Sequence, residues 1–261
     1  MLILSKISHV YRITLGMALG LTLFTTAAHA DGLVVVPAQL KLSAARPVVD
    51  LQVRNSSAEE TTYQFEVNSW KQDGERNLLT PDTRLIVHPQ SIKLQPGESA
   101  RIRVGLRLSG PRWNEEAFQV LISETPRIPD VGTRNSYPDG PRTIQRGRVP
   151  VFLLPPGKAL PRMTWQVERN DEGSVILRAR NIGEAHVKLN SATLMGPAGQ
   201  SIHKGNLSDI LLPGGTRSWT STANLTAGVW LLTADTNAGR MNAKLELGPD
   251  LSIAKALSLR D

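Results

Sequence analysis

The side chains that could support chemistry are few and scattered along this sequence. The chain has no cysteine and five histidines, of which only His88, His186 and His203 lie beyond the first thirty residues. These histidines do not stand at metal-ligand spacing, and no phosphate-binding loop or dinucleotide fingerprint is present. A disulfide scaffold and a Cys-ligated metal are excluded. We therefore expect neither a metal nor a cofactor, and interpret each histidine as an ordinary residue of a strand or turn.

A nucleophile with a matching base is also absent from the pattern. The segment 97–101 comes nearest to a nucleophile elbow, but it lacks the closing glycine and opens a strand, so it is interpreted as a hairpin. The carboxylate pairs Glu59-Glu60 and Glu115-Glu116 adjoin strand starts and are interpreted as solvated faces. We predict that the protein is not an enzyme.

The basic residues indicate what the protein does not bind. Lys and Arg number 30 against 23 Asp and Glu, giving a net charge of +7. Arg101, Arg103 and Arg107 lie opposite the apolar row of the same strand, a pattern typical of a solvated face. Aromatic residues make up only 5% of the chain and do not interleave with these arginines. The pattern argues against nucleic acid as a partner.

The elements that must position these residues are predicted to be strands. Apolar and polar residues alternate with a period of two, with no convincing stretch of helical periodicity. The clearest alternating segments in the first half are 49–53, 63–67, 102–108, 118–122 and 149–153. Turn signals such as Asp73-Gly74 and Pro96-Gly97 separate them. This pattern predicts an all-β protein built from two immunoglobulin-like β-sandwich domains.

The domain boundary is placed at a proline-rich interruption. Residues 154–161 contain three prolines and a glycine, and proline cannot donate to a strand ladder. We expect a first domain at 31–155, a linker at 156–161, a second β-sandwich domain at 162–250 and a tail at 251–261. The apolar residues 253–257 are the only plausible helical turn.

The first thirty residues have the pattern of a secretory signal peptide. Lys6 and Arg12 precede an apolar run at 13–24, and Ala28-His29-Ala30 has small residues where a signal peptidase reads them. We expect residues 1–30 to be removed on export. No later apolar stretch is long enough to span a bilayer, so the mature protein is expected in the periplasm of a Gram-negative cell, without membrane insertion.

The order of short motifs over most of the chain resembles the periplasmic pilus-assembly chaperones of the chaperone-usher pathway. The first half carries the segments 33–37, 49–56, 63–67, 94–97, 101–107, 116–120, 124–126 and 149–152. The stretch at 103–107, the Ser-Ala-Ala-Arg at 43–46 and the second-half residues Asn181, His186 and Trp219 resemble the archaic branch.

This resemblance implies a boomerang of two immunoglobulin-like domains that stabilises pilus, or fimbrial, subunits. The first domain would lend a strand to an incomplete subunit, which is donor-strand complementation. The expected partners are pilus subunits and an outer-membrane usher. No cofactor is implied, because strand exchange replaces one set of backbone hydrogen bonds by another.

The resemblance also assigns the anchor for the subunit's terminal carboxylate. The family uses two basic side chains in the cleft between the domains. Arg148 matches the second position, and a guanidinium suits a carboxylate through a two-pronged contact. Gln39 falls on the first position, where a neutral amide donates a hydrogen bond but brings no charge. Arg46 and Arg112 are further candidates for the second charge.

The donor strand departs from the family pattern. The family has alternating large apolar residues before the anchor, whereas 135–147 offers only Tyr137 and Ile144 among prolines and glycines. The segment is interpreted as a long loop. The candidates that would fill the subunit's pockets are Ile128, Val131, Tyr137 and Ile144.

Two other classes of protein were weighed. A secreted pilus subunit or other structural sandwich protein would carry an N-terminal donor extension and lack a strand, whereas two complete strand sets follow Asp31 here. An exported hydrolase would need a nucleophile and a base. A secreted two-domain β-sandwich protein that binds another ligand remains the alternative.

Overall fold

The fold is that of a computed structural model, which describes residues 32–107, 114–125, 146–170, 172, 174–222, 225–248, 254–257 and 259–260. Within these ranges all regular structure is β-strand. The described part accordingly contains no helix that is long and apolar enough to cross a membrane. The expected all-β class is confirmed.

Ten strands from the first half of the chain form two facing sheets. They are β1 (Leu33–Val36), β2 (Leu40–Leu42), β3 (Val48–Asn55), β4 (Thr61–Asp73), β5 (Arg76–Pro81), β6 (Leu85–His88), β7 (Ser91–Leu94), β8 (Ser99–Leu106), β9 (Glu116–Thr125) and β10 (Arg146–Leu153). Sheet A has the order β1-β3-β8-β6. Sheet B has the order β2-β10-β9-β4-β5, and β7 also pairs with β4.

The period of two in the sequence places one face of each strand in the core. Along β3, Val49, Leu51 and Val53 are buried while the residues between them are exposed. Ile102 and Val104 of β8 pack against them in the same hydrophobic cluster. Removal of such apolar surface from water is the main stabilising contribution to a sandwich of this kind.

Ten strands from the second half form another pair of sheets. They are β11 (Met163–Arg169), β12 (Val175–Asn181), β13 (Val187–Met195), β14 (Ser201–Lys204), β15 (Asp209–Leu211), β16 (Thr216–Ser221), β17 (Gly228–Thr236), β18 (Gly239–Leu247), β19 (Ala254–Leu257) and β20 (Leu259–Arg260). Sheet C has the order β16-β12-β11-β19. Sheet D has the order β14-β13-β17-β18-β20, with β15 paired to β13. Trp165 and Trp230 are the largest side chains in the core between them.

Two sequence-based expectations about local structure are wrong. The segment 97–101 is no hairpin, because β7 belongs to sheet B and β8 to sheet A, so the turn at Gly97 carries the chain from one sheet to the other. Residues 254–257 form no helical turn, because they pair as strand β19 with Thr164–Val167 of β11. In both places a long-range strand partner outweighs the local pattern.

The segment between β10 and β11 is held against the second sandwich by backbone hydrogen bonds. Ile182 N–H donates to Arg162 O at 2.7 Å, and Glu184 N–H donates to Leu160 O at 2.9 Å. Gly183 lies between them, and a Cβ there would meet the Arg162 nitrogen and the Leu160 oxygen. Glycine is required because the two backbone segments approach so closely.

Candidate subunit-binding site

Strand β10 has an open edge next to the expected anchor. It pairs with β9 along its whole length, from Arg146 to Leu153. On its other side it pairs with β2 only from Val151 to Leu153, in parallel. Among the described residues, the edge from Arg146 to Pro150 therefore has no strand partner. An unpaired edge is the feature on which another chain can add a strand.

Arg148 lies on the outer face of sheet B at this open edge. Val149 and Val151 point into the core, so the even-numbered residues of β10 point outward. The guanidinium of Arg148 is exposed, and Arg146 is exposed on the same face. Both cations are thus available to an acidic group of an added chain.

Gln39 lies directly before β2, the strand that pairs with the end of β10. Its neighbour Leu40 pairs with Val151, and Gln39 itself is half-buried. The structure brings the two expected anchor residues to one edge.

The other sequence-based candidates are not joined to this edge. Arg46 lies in the turn after β2, where its N–H donates to Ser43 O at 3.1 Å. That turn follows the end of β2 that lies beside Leu153, away from Arg148. Arg112 lies outside the described residues, as do the donor-strand candidates Ile128, Val131, Tyr137 and Ile144.

The outer face of sheet B continues into an apolar joint with the second sandwich. Trp70, Phe152 and Leu212 form a buried cluster to which both sandwiches contribute. Gln72 bridges them as well: its Nε2 donates to Ile210 O at 2.9 Å, and Leu212 N–H donates to its Oε1 at 2.8 Å. The side chain of Gln72 thus holds the edge of one sandwich to a backbone segment of the other.

Glu115 and His186 form a buried polar pair in this joint, and the sequence-based interpretation of Glu115 as part of a solvated face is wrong. Glu115 is no solvated carboxylate: its side chain is 3% exposed, and Oε1 lies 2.6 Å from His186 Nδ1. The same oxygen accepts the His186 backbone N–H at 3.0 Å. The His186 ring also stacks on Phe152, with 3.5 Å between the ring centroids.

No sequence signal identifies this pair in advance. Glu115 stands between two polar residues, and His186 follows a loop in the other half of the chain. Only the packing of the two sandwiches brings the carboxylate and the imidazole together.

A second group of charges lies at the start of β9. Arg84 contacts Asp82 at 2.8 Å and Glu116 at 2.6 Å, and its guanidinium lies over the Phe118 ring at 4.8 Å. The hydrogen bond from Arg84 holds the pKa of the Asp82 carboxyl below its usual value. This group ties the loop before β6 to β9, the strand that pairs with β10.

The exposed arginines of sheet A agree with the expected solvated face. Arg101 and Arg103 flank Asp50 on the neighbouring strand, with nitrogen to oxygen distances of 3.6 Å each. Arg107 is exposed just beyond the end of β8. None of these side chains lies on the sheet that carries Arg148.

The described residues offer no competing metal centre. No group of three or more His, Asp or Glu side chains in the described ranges could hold a metal ion. A surface depression of about 840 Å³ is lined by residues of β4 and β6 and by residues beside them. It is open to solvent and contains no histidine, so the edge of β10 and the adjoining face remain the candidate site.

Comparison with known proteins connects this geometry with one family. Residues 32–158 match the sequence model described as pili and flagellar-assembly chaperone, PapD N-terminal domain. No curated protein sequence matches the chain.

Solved structures extend the likeness over both sandwiches. A chain of the CsuC-CsuE chaperone-tip adhesion subunit pre-assembly complex, from archaic chaperone-usher Csu pili of Acinetobacter baumannii, is 17% identical with a TM-score of 0.60, covering 82% of this chain and 97% of that one. The YadV chaperone is 16% identical with a TM-score of 0.57, covering 82% and 99%. A chain of the Salmonella enterica SafA pilin–SafB chaperone complex is 15% identical with a TM-score of 0.53, covering 80% and 91%. At these identities the likeness shows the fold.

Proposed function

We propose, since residues 32–158 belong to the family of pili and flagellar-assembly chaperones, that this protein binds pilus subunits by donor-strand complementation. The single observation that carries this proposal is the open edge of β10 beside Arg148, within a domain of that family. It performs no reaction on its partner and needs no cofactor, because the binding step exchanges backbone hydrogen bonds.

The physical basis is the completion of an unfinished sheet. A subunit that lacks one strand exposes a hydrophobic groove and a row of unpaired N–H and C=O groups. An edge such as that of β10 supplies both hydrogen bonds and side chains for alternate pockets. Covering the groove prevents the subunit from aggregating through its exposed edge.

Three finer features belong to the same proposal. The terminal carboxylate of the subunit binds Arg148, with Gln39 as the neighbouring hydrogen-bond donor. The chaperone belongs to the archaic branch, which the likeness to a chain of the Csu pre-assembly complex supports. It acts in the periplasm after removal of residues 1–30 and delivers its subunit to an outer-membrane usher.

Co-expression with a pilus subunit tests the proposal. The probe is a signal-bearing pilus subunit, tagged and purified from periplasm with and without the chaperone. We expect soluble subunit in a complex with the chaperone only when both are present. Equal soluble yield of subunit in both strains would contradict the assignment and favour the alternative, a two-domain protein that binds another ligand.

The predicted export is tested separately on the mature protein. Amino-terminal sequencing of the form recovered from the periplasm should begin at Asp31, because Ala28-His29-Ala30 has the small residues that signal peptidase requires. A product that retains Met1 or sediments with membranes would contradict the processing.

A further inference from the structure

The outer face of sheet A, the sheet that does not carry Arg148, has a notch at Gly105 of β8. This residue pairs with Val48 of β3 on one side and with Ile86 of β6 on the other. Val104, the residue before it, is buried in the core, so position 105 belongs to the outward face. Because glycine has no side chain, a gap remains between its two aliphatic neighbours.

The two walls of the Gly105 notch are exposed. Val48 is 50% exposed and Ile86 is 46% exposed. A single exposed aliphatic residue is ordinary on a protein surface. Here two of them stand directly opposite one another across a glycine, so that together they can enclose one apolar side chain from outside.

The fold itself does not require a glycine at this position. The φ angle of Gly105 is not in the left-handed region. A Cβ at this position would meet only Val48 Cγ2, at 3.6 Å, which is an ordinary van der Waals contact. Glycine weakens a strand interior, and it often marks a place where another chain approaches closely. The reason for this glycine therefore lies outside the chain.

The notch lies among positive charges. Arg103 precedes Gly105 by two residues and Arg107 follows it by two, and both arginines are exposed. On the outward face of β3, β6 and β8 the one acidic side chain is Asp50, which lies 3.6 Å from both Arg101 and Arg103. This surplus of positive charge attracts an acidic partner and repels a second copy of the same face.

The spacing of these groups matches an extended peptide. Side chains on one face of a strand repeat about every 7 Å, and those of an extended peptide laid along β8 repeat at the same distance. Arg107 and Ile86 also line the same surface depression. A peptide side chain that enters the notch therefore brings the side chains two residues before and after it towards Arg103 and Arg107.

We propose that the Gly105 notch is a docking site for an extended segment of an acidic partner protein. One aliphatic side chain of the partner lies between Val48 and Ile86, and acidic side chains on either side of it contact Arg103 and Arg107. The site is separate from the open edge of β10, so the inference does not depend on the proposed function. The notch selects for the aliphatic side chain, and the arginines select for its acidic neighbours.

Titration of the whole protein with short peptides tests this proposal. The probe is the blocked peptide acetyl-Glu-Ala-Leu-Ala-Glu-amide. A peptide with serine in place of leucine lacks the aliphatic side chain, and a peptide with lysine in place of both glutamates reverses the charge. NMR signals of the Gly105 amide and of the Val48 and Ile86 methyl groups report on binding at the notch.

Two valine variants separate the notch from the rest of the face. Gly105→Val fills the notch, since only ordinary contacts stand in the way of a side chain there. Ser99→Val is the matched control, because it adds the same side chain to the same strand and the same outward face, opposite Arg54. The Tm of each free protein is measured alongside.

We expect the leucine peptide to bind in the millimolar range and to shift the three reporter signals. The serine peptide should bind about tenfold more weakly, the factor that burial of one leucine side chain supplies. Gly105→Val should weaken binding of the leucine peptide by about the same factor. Its Tm should stay equal or rise, because valine favours a strand more than glycine does. Ser99→Val should bind like the parent.

Several results would overturn the inference. If the leucine and serine peptides bind equally, or if none of the peptides shifts the reporter signals, the notch takes no aliphatic side chain. If Gly105→Val binds like the parent, the peptide lies elsewhere, and if this variant lowers the Tm, the glycine is a structural residue. Binding of the parent to phosphatidylglycerol vesicles, without binding of the leucine peptide, would make the face a lipid-binding surface instead.

Discussion

Arg148 is an exposed cation on a strand whose edge is open. The free energy that its charge contributes depends on whether an acidic group binds there. In the free protein, loss of an exposed charge changes stability by about 0 to 1 kcal/mol. In a complex that excludes water, loss of a carboxylate's partner costs on the order of 2 to 5 kcal/mol. The two roles therefore predict measurably different effects.

We predict that Arg148→Ala lowers affinity for the subunit at least about tenfold and leaves the Tm of the free chaperone unchanged. Arg148→Lys should give an intermediate defect, because it keeps the charge and loses the planar two-pronged geometry. Pull-down of co-expressed subunit measures the effect, and Arg54→Ala, an exposed arginine of sheet A, is the control. If a normally folded Arg148→Ala protein captures as much subunit as the parent, Arg148 is not the residue that binds the terminal carboxylate.

At the scale of elements, the charges around Arg84 hold the loop before β6 against the start of β9. Asp82 is well shielded, with a side chain 13% exposed, whereas Arg84 is 42% exposed. The hydrogen bond from Arg84 lowers the pKa of Asp82 more than burial raises it. Partial exposure of Arg84 limits the contribution of the pair to about 1 kcal/mol.

This pair predicts a pH-dependent stability difference. Because the pKa of Asp82 is lower in the folded than in the unfolded state, its stabilisation is fully present above the unfolded value and is lost as pH falls through the folded value. Asp82→Asn should therefore lower the free energy of unfolding at pH 7, and its difference from the parent should shrink towards pH 3. Urea unfolding across this range measures it, and a difference that is constant with pH would contradict the linkage.

At the scale of the whole molecule, the joint between the sandwiches combines apolar packing with one polar pair. Phe152 contacts Trp70 on one side, at 6.4 Å between centroids, and stacks on His186 on the other. Glu115 Oε1 accepts a hydrogen bond from the His186 backbone N–H and also contacts Nδ1 of its ring. The strand that offers the binding edge, β10, thus ends in the joint.

We predict that Glu115→Ala destabilises the joint, because it leaves two buried donors of His186 without an acceptor. The cost is about 1 to 3 kcal/mol, measured by urea unfolding. Amide hydrogen exchange should show faster exchange at Phe152 and Leu212, which lie on the two sides of the joint. The control is Glu172→Ala, an exposed carboxylate in a turn. Equal effects of the two substitutions would mean that the buried pair contributes nothing to the joint.

Much of the fold follows from the sequence because strand periodicity is a local property. Alternation in segments such as 49–53 and 118–122 identifies the buried faces of β3 and β9 directly, since every second side chain points to the same face. The resemblance to the pilus chaperones likewise rests on the order of such local segments, and Arg148 stands directly before one of them.

Only the tertiary structure decided which residues that are distant in the sequence come into contact. The local sequence of residues 254–257 is compatible with a helical turn or a strand, and pairing with the edge of β11 makes them a strand. Glu115 and His186 are 71 residues apart, so their burial depends on how two sandwiches meet. Periodicity determines which way a side chain points, whereas packing determines what it meets there.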